Sequence, residues 1–272
     1  MAVGTVSTIW GDALCSLDLY AQSVDSGRII LFGREGSLED FRVFLEAQDF
    51  IRDVIPVALS DMEFHHHVWR SRDQYGLLHH LAERGGVPRD ELVSTHMHHE
   101  HWFSEPWPTP PLRMDDEASE WAAATARDLG DFVLAQPFSF HSTDYDSHWP
   151  VWFEALSWLC ERENVVLAGE DWSPVPWGQL AGSLPCRSLV GCFPSMRHLL
   201  ALSNHASCVV TTSNALSIWC AKQGTTSVVA CNARVHQRRM FYESMTGPKN
   251  ALILYNSTLA EFCEAFDERT GR

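Results

Sequence analysis

Strand and helix patterns alternate along this chain and predict an α/β protein with two parallel-sheet domains that face each other across a cleft. Over residues 4–59, three β-rich runs are separated by two helical patterns, and strands joined through helices form parallel sheets with right-handed crossovers. The same alternation resumes at residue 131. Residues 93–111 are rich in His, Trp and Pro and fit neither pattern, so they are predicted to form a surface loop and a linker. The predicted domains are residues 1–112 and 113–272.

The first strand and helix place an acidic residue where α/β proteins bind ligands. GTVSTIW at residues 4–10 is a predicted strand, and the helix that follows begins around Asp12 and runs to about Val24. Ligands of open α/β sheets bind at the carboxyl ends of the strands, which is where Asp12 falls. The other elements predicted in this half are strands at 28–34 and 50–59 and helices at 38–48 and 73–84.

The second half contains a strand, a tight turn and a helix that together suit an anion. CVVTT at residues 208–212 has the β-branched character of a buried parallel strand, and Ser213 and Asn214 then lead into a helix that Gly224 ends. The free N–H groups and the positive dipole of that helix start can hold a phosphate. Alternatively, Ser213 or Asn214 only caps the helix. The other elements predicted here are strands at 131–138, 165–169, 226–231 and 251–255 and helices at 115–128, from 149, from 195 and from 257.

Composition narrows the class of protein. The 272 residues are 45% hydrophobic and carry a formal net charge of −15, which argues against a protein that grips long nucleic acid but leaves a local basic patch open. No apolar run is long enough to span a bilayer and no signal-like segment opens the chain, so a soluble cytoplasmic protein is predicted. The eight Cys residues include no CxxC pair and are predicted to be buried apolar side chains in a reducing compartment.

Two histidine-rich segments raise the question of a metal site. His65 to His67 are consecutive, and four more histidines lie between His96 and His101. Zinc ligands are often histidines, but neither segment has HExxH spacing and no Cys pair completes a structural site. No metal is therefore predicted. The histidines are interpreted instead as a pH-responsive lining of the cleft, with His65, His66 and His98 as the candidates.

Several local sequences resemble the heptosyltransferase-like glycosyltransferases, the glycosyltransferase family 9-like enzymes of GT-B fold. GDAL at 11–14 is similar to their Gly-Asp pair between the first strand and helix, and HWP at 148–150 to their Trp-Pro helix start. GE at 169–170 is similar to the end of a strand that faces the nucleotide in that family. LVG at 189–191 is similar to a segment that precedes a helix there. Residues 209–224 align without gaps to their donor motif, a strand followed by Asp-Ser-Gly-x-x-His. The chain is divergent and short for this family, so its N-terminal domain is expected to be trimmed.

The resemblance implies roles for particular residues. Asp12 corresponds to the family's proposed general base, although a carboxylate there also stabilises a helix N-terminus by a few tenths to about 1 kcal/mol. Ser142 and Thr143 occupy the positions of two hydroxyl residues near the diphosphate, or form an ordinary turn. Glu170 is a candidate for the ribose hydroxyls, or a strand-end acid in a turn. The backbone N–H groups at Ser213 and Asn214 complete the predicted diphosphate site.

This sequence departs from the donor motif at its polar positions. Ser213 replaces the motif Asp, Asn214 the Ser, and Ile218 the His, and Ser147 stands where the family has a basic residue before Trp-Pro. The missing basic residue at 147 and the missing His at 218 reduce the positive charge near the leaving group. Arg234 and Arg238, in the RVHQRR segment after the last donor-side strand, are candidates to restore it; alternatively, they form a solvated basic patch.

The resemblance implies a metal-independent, inverting transferase of the hexosyl or heptosyl type, which takes a nucleotide sugar as co-substrate and needs no cofactor. Its acceptor is a saccharide, a small molecule or a modified base in DNA. One alternative is a phage-type enzyme that glycosylates a hydroxymethylated base. Another is a GT-B module that binds a nucleotide without turnover, and a third, less favoured, is a sugar-nucleotide epimerase.

Overall fold

The computed structural model divides the chain into two units, Met1–Asp115 and Asp116–Arg272. The sequence-predicted boundary, after residue 112, falls just before that division. The residues that the structure describes are 2–24, 26–66, 74–93, 111–137, 151–169, 182–212, 214–231 and 251–272.

The first unit is a four-stranded parallel sheet with helices between its strands. The strand order is β3-β2-β1-β4, so the chain builds outward from β1 and then returns to the other side of β1. The order therefore reverses between β1 and β4, and such a reversal opens a crevice at the carboxyl edge of a sheet. The elements are β1 (Val3–Ser7), α1 (Trp10–Ser23), β2 (Arg28–Arg34), α2 (Glu35–Glu46), β3 (Asp53–Leu59), α3 (Asp61–Phe64), α4 (Gln74–Gly85) and β4 (Leu92–Val93).

The junction of β1 and α1 differs from the sequence prediction. The predicted strand runs to Trp10, whereas β1 ends at Ser7 and α1 already begins at Trp10. The ring of Trp10 lies 4.0 Å from that of Phe41 and 5.1 Å from that of Phe44, centroid to centroid, and both are buried residues of α2. These aromatic contacts hold the first turn of α1 against α2. Packing against α2 therefore stabilises a helical conformation of Trp10, although Trp favours strands.

Gly33 of β2 leaves the space that the β1–α1 connection needs. The Thr8 N–H donates to the Phe32 carbonyl over 3.0 Å, which brings Thr8 against Gly33. A Cβ added to Gly33 would lie 2.0 Å from Thr8 Oγ1. Only a glycine therefore lets Thr8 sit beside β2.

We expect Gly33→Ala to lower the free energy of unfolding by roughly 1–3 kcal/mol, because the new methyl group forces Thr8 and the backbone apart. Gly36→Ala is the matched control. No heavy atom lies within 4 Å of a Cβ there, so this helical substitution should stabilise by roughly 0.4–1 kcal/mol. Chemical denaturation of both variants measures the difference. Equal stability of the two variants would show that Thr8 adapts freely.

The second unit is a six-stranded parallel sheet. Its strand order is β10-β9-β8-β5-β6-β7, with a reversal between β5 and β8. The fold class predicted from the sequence, two parallel-sheet α/β domains, is confirmed. The elements are α5 (Asp116–Leu129), β5 (Val133–Gln136), α6 (Trp152–Cys160), β6 (Val165–Leu167), β7 (Arg187–Ser188), α7 (Met196–Ser203), β8 (Cys208–Thr211), α8 (Ala215–Gln223), β9 (Ser227–Cys231), β10 (Ala251–Tyr255) and α9 (Leu259–Thr270).

The last helix, α9, packs its apolar face into the core of the second unit. Phe262 and Phe266 are fully buried, and the Trp158 ring meets both edge-on at centroid distances of 6.4 and 5.8 Å. The resemblance to GT-B proteins, in which the last helix usually crosses between the domains, implies that this helix packs back toward the N-terminal domain. The contacts of Phe262 and Phe266 described above lie within the second unit, against α6 and the sheet.

The predicted burial of the cysteines holds only in part. Cys208, Cys220 and Cys231 are buried, Cys160, Cys186 and Cys263 are half-buried, and Cys192 is exposed. Cys208 and Cys220 are fully buried in the second unit. Burial raises the pKa of both thiols to about 12, so they stay protonated at neutral pH.

Two helices begin with reciprocal capping boxes that contain a glutamate. Ser60 and Glu63 cap α3, and Thr258 and Glu261 cap α9. In each box the glutamate accepts hydrogen bonds from the backbone N–H and hydroxyl of the capping residue. These bonds lower the pKa of both glutamates below the usual 4.5, so folding favours their ionised form.

A folded-state pKa below the unfolded value stabilises the protein at neutral pH and loses that contribution as the pH falls through the folded pKa. We therefore expect the double variant Glu63→Gln/Glu261→Gln to be less stable than wild type at pH 7 and to approach it below about pH 4.5, the unfolded value. Chemical denaturation across this pH range measures it. Glu264→Gln, at an exposed position of α9, should leave the acid limb unchanged. A pH-independent difference would contradict the assignment.

Candidate functional site

The helix start predicted to bind phosphate is organised by Asn214. Asn214 is the N-cap of α8, and its Oδ1 accepts from the Ser217 N–H over 3.0 Å. In return, the Asn214 N–H donates to Ser217 Oγ over 3.1 Å. The helix ends at Gly224, whose φ of 73° is the left-handed cap predicted from the sequence.

The same asparagine ties β8 to β5. Its Nδ2 donates to Gln136 Oε1 and to Thr211 Oγ1, each over 3.0 Å, and the Thr211 hydroxyl also bonds the Gln136 carbonyl over 3.0 Å. Gln136 and Thr211 are register partners at the carboxyl ends of their strands. The network therefore lies at the reversal of strand order, where open α/β sheets bind their ligands.

The structure changes one backbone donor of the predicted diphosphate site. The sequence predicts that the Asn214 N–H faces a phosphate, but this N–H donates to Ser217 Oγ within the capping box. The first four N–H groups of a helix lack intrahelical partners. Those of Ala215 and Leu216 take part in no hydrogen bond between described residues, so these two groups are available as donors at this end of α8. Ile218, where the resemblance places a His in the family, is buried.

Asp12 lies at the equivalent place in the first unit. It is the third residue of α1, is half-buried, and follows β1 at the edge where strand order reverses toward β4. Its backbone carbonyl accepts from the Ser16 hydroxyl over 2.7 Å, which tightens the first turn. A carboxylate there also meets the positive end of the helix dipole.

His65 and His66 lie directly after α3 and are exposed. They follow β3, which is two strands from β1 in the sheet. At about 4.8 Å between neighbouring strands, β3 lies roughly 10 Å from β1. The first unit thus carries these histidines on the same sheet edge as Asp12, but not beside it.

The remaining predicted site residues lie outside the described part of the chain, so the structure does not place them. They belong to segments that follow β4, β5, β6, β8 and β9 in sequence. These residues are His98, Ser142, Thr143, Glu170, Ser213, Arg234 and Arg238.

Among the described residues, no group of three His, Cys, Asp or Glu side chains is arranged to hold a metal ion. No helix in the described part is long and apolar enough to cross a membrane.

The whole chain is similar in structure to solved bacterial glycosyltransferases. ADP-heptose lipopolysaccharide heptosyltransferase II of E. coli aligns with a TM-score of 0.66 at 13% identity, over 99% of this chain and 98% of that one. A family 9 glycosyltransferase of Veillonella parvula aligns with a TM-score of 0.70 at 11% identity, over 99% and 96%. Heptosyltransferase WaaC of E. coli, solved with ADP, aligns with a TM-score of 0.58 at 14% identity, over 98% and 99%.

These alignments establish the fold as that of the GT-B glycosyltransferases. No family model matches the chain, and no curated protein matches it in sequence. The likeness is therefore carried by the order and pairing of strands rather than by shared residues.

Sequence reasoning did not single out Gln136. It precedes Pro137 at the end of a predicted strand and has no motif around it. Its role becomes visible only when β5 and β8 are paired in register.

Proposed function

We propose that this chain is a glycosyltransferase that moves a sugar from a nucleotide-sugar donor to an acceptor hydroxyl. The observation that carries the proposal is the structural likeness over 99% of the chain to a heptosyltransferase whose donor is ADP-heptose. The two reversals of strand order support it, because Asp12 follows β1 at one and the start of α8 lies at the other. In this proposal the second unit binds the donor and the first unit binds the acceptor.

The proposed reaction is a single inverting displacement. The Asp12 carboxylate takes the proton of the acceptor hydroxyl as its oxygen forms a bond to the anomeric carbon. The bond from that carbon to the diphosphate breaks, and its electron pair leaves with the diphosphate. The N–H groups at the start of α8 stabilise the charge that develops there. Arg234, Arg238, Ser142 and Thr143 are proposed to add to this stabilisation, and Glu170 to bind the ribose.

A thermal-shift screen tests the donor. ADP, UDP, GDP, CMP and their sugars are compared with the corresponding nucleosides, which lack phosphate. A ligand at 100 times its Kd should stabilise the protein by about 2.7 kcal/mol. Release of nucleoside diphosphate, or of CMP if a CMP sugar binds best, then measures turnover, with saccharides, small alcohols and hydroxymethylated DNA as acceptors. If no nucleotide binds, the proposal is wrong.

A nucleotide-binding module without turnover is the second candidate. It is favoured by Ile218, which is buried where the family pattern carries a histidine, and by the Asn214 N–H, which the capping box occupies. Tight binding of a nucleoside diphosphate together with no transfer to any of the three acceptor classes would favour this candidate over the enzyme.

The proposed reaction uses no metal. We expect EDTA to leave both the rate of transfer and the Tm unchanged, because N–H groups and arginines neutralise the leaving diphosphate. Activity assays before and after chelation, with Mg²⁺ and Zn²⁺ added back separately, measure this. Activity that is lost to EDTA and restored by zinc would instead assign a metal site to the histidines between His96 and His101.

A further inference from the structure

Two cysteines that are distant in sequence meet at the amino end of the second sheet. Cys160 is the last residue of α6, and a short turn leads from it to the start of β6 at Val165. The parallel register pairs Val166 with Arg187, which places Cys186, directly before β7, next to the start of β6. The two thiols are free and hydrogen-bonded to each other.

Packing holds both sulfurs in this position. Cys160 and Cys186 are half-buried and lie against the core cluster that includes Leu159, Val165 and Leu184. Burial raises the pKa of both thiols, that of Cys160 to about 12, and the hydrogen bond opposes this rise at Cys186 but adds to it at Cys160. The Cys160 S–H is therefore the donor and Cys186 the acceptor, so Cys186 ionises first.

The strand beside Cys186 is the least secured of this sheet. β7 is an edge strand of two residues, both exposed, and its pairing with β6 spans only two residue pairs. The carboxyl side of β7 is tied to β6 by the Leu189 N–H, which donates to the Leu167 carbonyl over 2.8 Å. A covalent link at Cys186 would fix the amino side of the same strand.

We propose that Cys160 and Cys186 form a reversible disulfide when the protein meets a low-molecular-weight disulfide such as glutathione disulfide, and that this bridge stabilises the second unit. Two thiols in contact need little backbone movement to reach disulfide geometry. The bridge closes the loop from 160 to 186, which restricts the unfolded chain, and it joins edge strand β7 to α6. This redox-modification site is independent of the proposed sugar transfer.

The exchange begins at Cys186. Its thiolate attacks one sulfur of glutathione disulfide, a mixed S–S bond forms, and the first glutathione leaves as a thiolate. Cys160 then loses its proton to solvent, attacks the Cys186 sulfur and displaces the second glutathione. The two cysteines together give up two electrons and two protons, and one glutathione disulfide becomes two glutathione thiols.

Incubation of the reduced full chain with glutathione disulfide tests the inference, at about pH 8.5, where a larger fraction of the thiols is ionised. Peptide mapping by mass spectrometry without reduction should find the peptides of Cys160 and Cys186 joined. The fully buried Cys208 and Cys220 should remain thiols, which shows that the protein stayed folded. The oxidised protein should melt roughly 5–10 °C higher than the reduced one, and dithiothreitol should reverse the shift.

Cys192→Ser is the matched control for Cys186→Ser. Cys192 is exposed, so its loss should leave both the bridge and the rise in Tm intact, whereas Cys186→Ser should abolish both. Wild-type protein in which Cys186 keeps a bound glutathione, or in which Cys160 and Cys186 stay reduced, would overturn the inference, as would a bridge that leaves the Tm unchanged. The mapping of wild type decides even if Cys186→Ser does not fold.

Discussion

Replacing Asp12 with Asn is expected to lower kcat by about 10²- to 10⁴-fold, the usual contribution of a general base. Asn has nearly the size and polarity of Asp but cannot accept the acceptor's proton. Asp12 belongs to the first unit, whereas the proposed diphosphate site lies in the second, so Kd for nucleoside diphosphate should change little. Stability should change by less than about 1 kcal/mol, since Asn also suits a helix N-terminus.

Glu35→Gln is the matched control for Asp12→Asn. Glu35 is also an acidic residue in the first turn of a helix, and α2 follows β2 on the same sheet edge. Its substitution should leave kcat unchanged. Asp12→Asn turning over at the wild-type rate would remove Asp12 as the base, and His65, His66 and His98 would be tested next. A pH–rate profile distinguishes the two kinds of base, because the ordinary pKa of a histidine is higher than that of a carboxylate.

Truncating Phe262 to Ala is expected to lower the free energy of unfolding by about 3–5 kcal/mol. Its ring is fully buried, 6.5 Å from that of Trp152 and 6.4 Å from that of Trp158, centroid to centroid. Removing it leaves a cavity between α9, α6 and the sheet, which these large side chains cannot collapse to fill. Urea denaturation followed by tryptophan fluorescence measures the loss.

Phe153→Ala provides the comparison on α6, the helix whose Trp152 and Trp158 contact Phe262. Phe153 lies on α6 but is 49% exposed, so its truncation should change stability by about 0.5 kcal/mol or less. A small effect of Phe262→Ala, similar to that of Phe153→Ala, would show that α9 does not belong to the core of the second unit.

The sequence alone predicted the elements that local chemistry determines. The strands at 28–34 and 251–255 have the predicted bounds, because each contains a continuous apolar run with turn residues on either side. The order of strands and helices predicted two parallel sheets, and the alignments with solved glycosyltransferases confirm the predicted fold.

Predictions that rested on one local pattern were less accurate where distant side chains meet. The sequence predicts Trp10 at the end of a strand, yet Trp10 begins α1 because Phe41 and Phe44 pack on it. The sequence predicts Asn214 as either a helix cap or a phosphate contact. The structure shows the cap, and its amide also reaches Gln136, 78 positions away in sequence.

What the sequence determined by itself is therefore the succession of elements, the glycine that ends α8 and the acidic residue that follows the first strand. Each depends on residues within one turn or one strand of each other. What only the tertiary structure decided is which strands are neighbours: β8 lies beside β5 across the reversal, and this pairing brings Gln136, Thr211 and Asn214 together. Strand pairing depends on packing and register between segments far apart in the chain, and no local pattern encodes that choice.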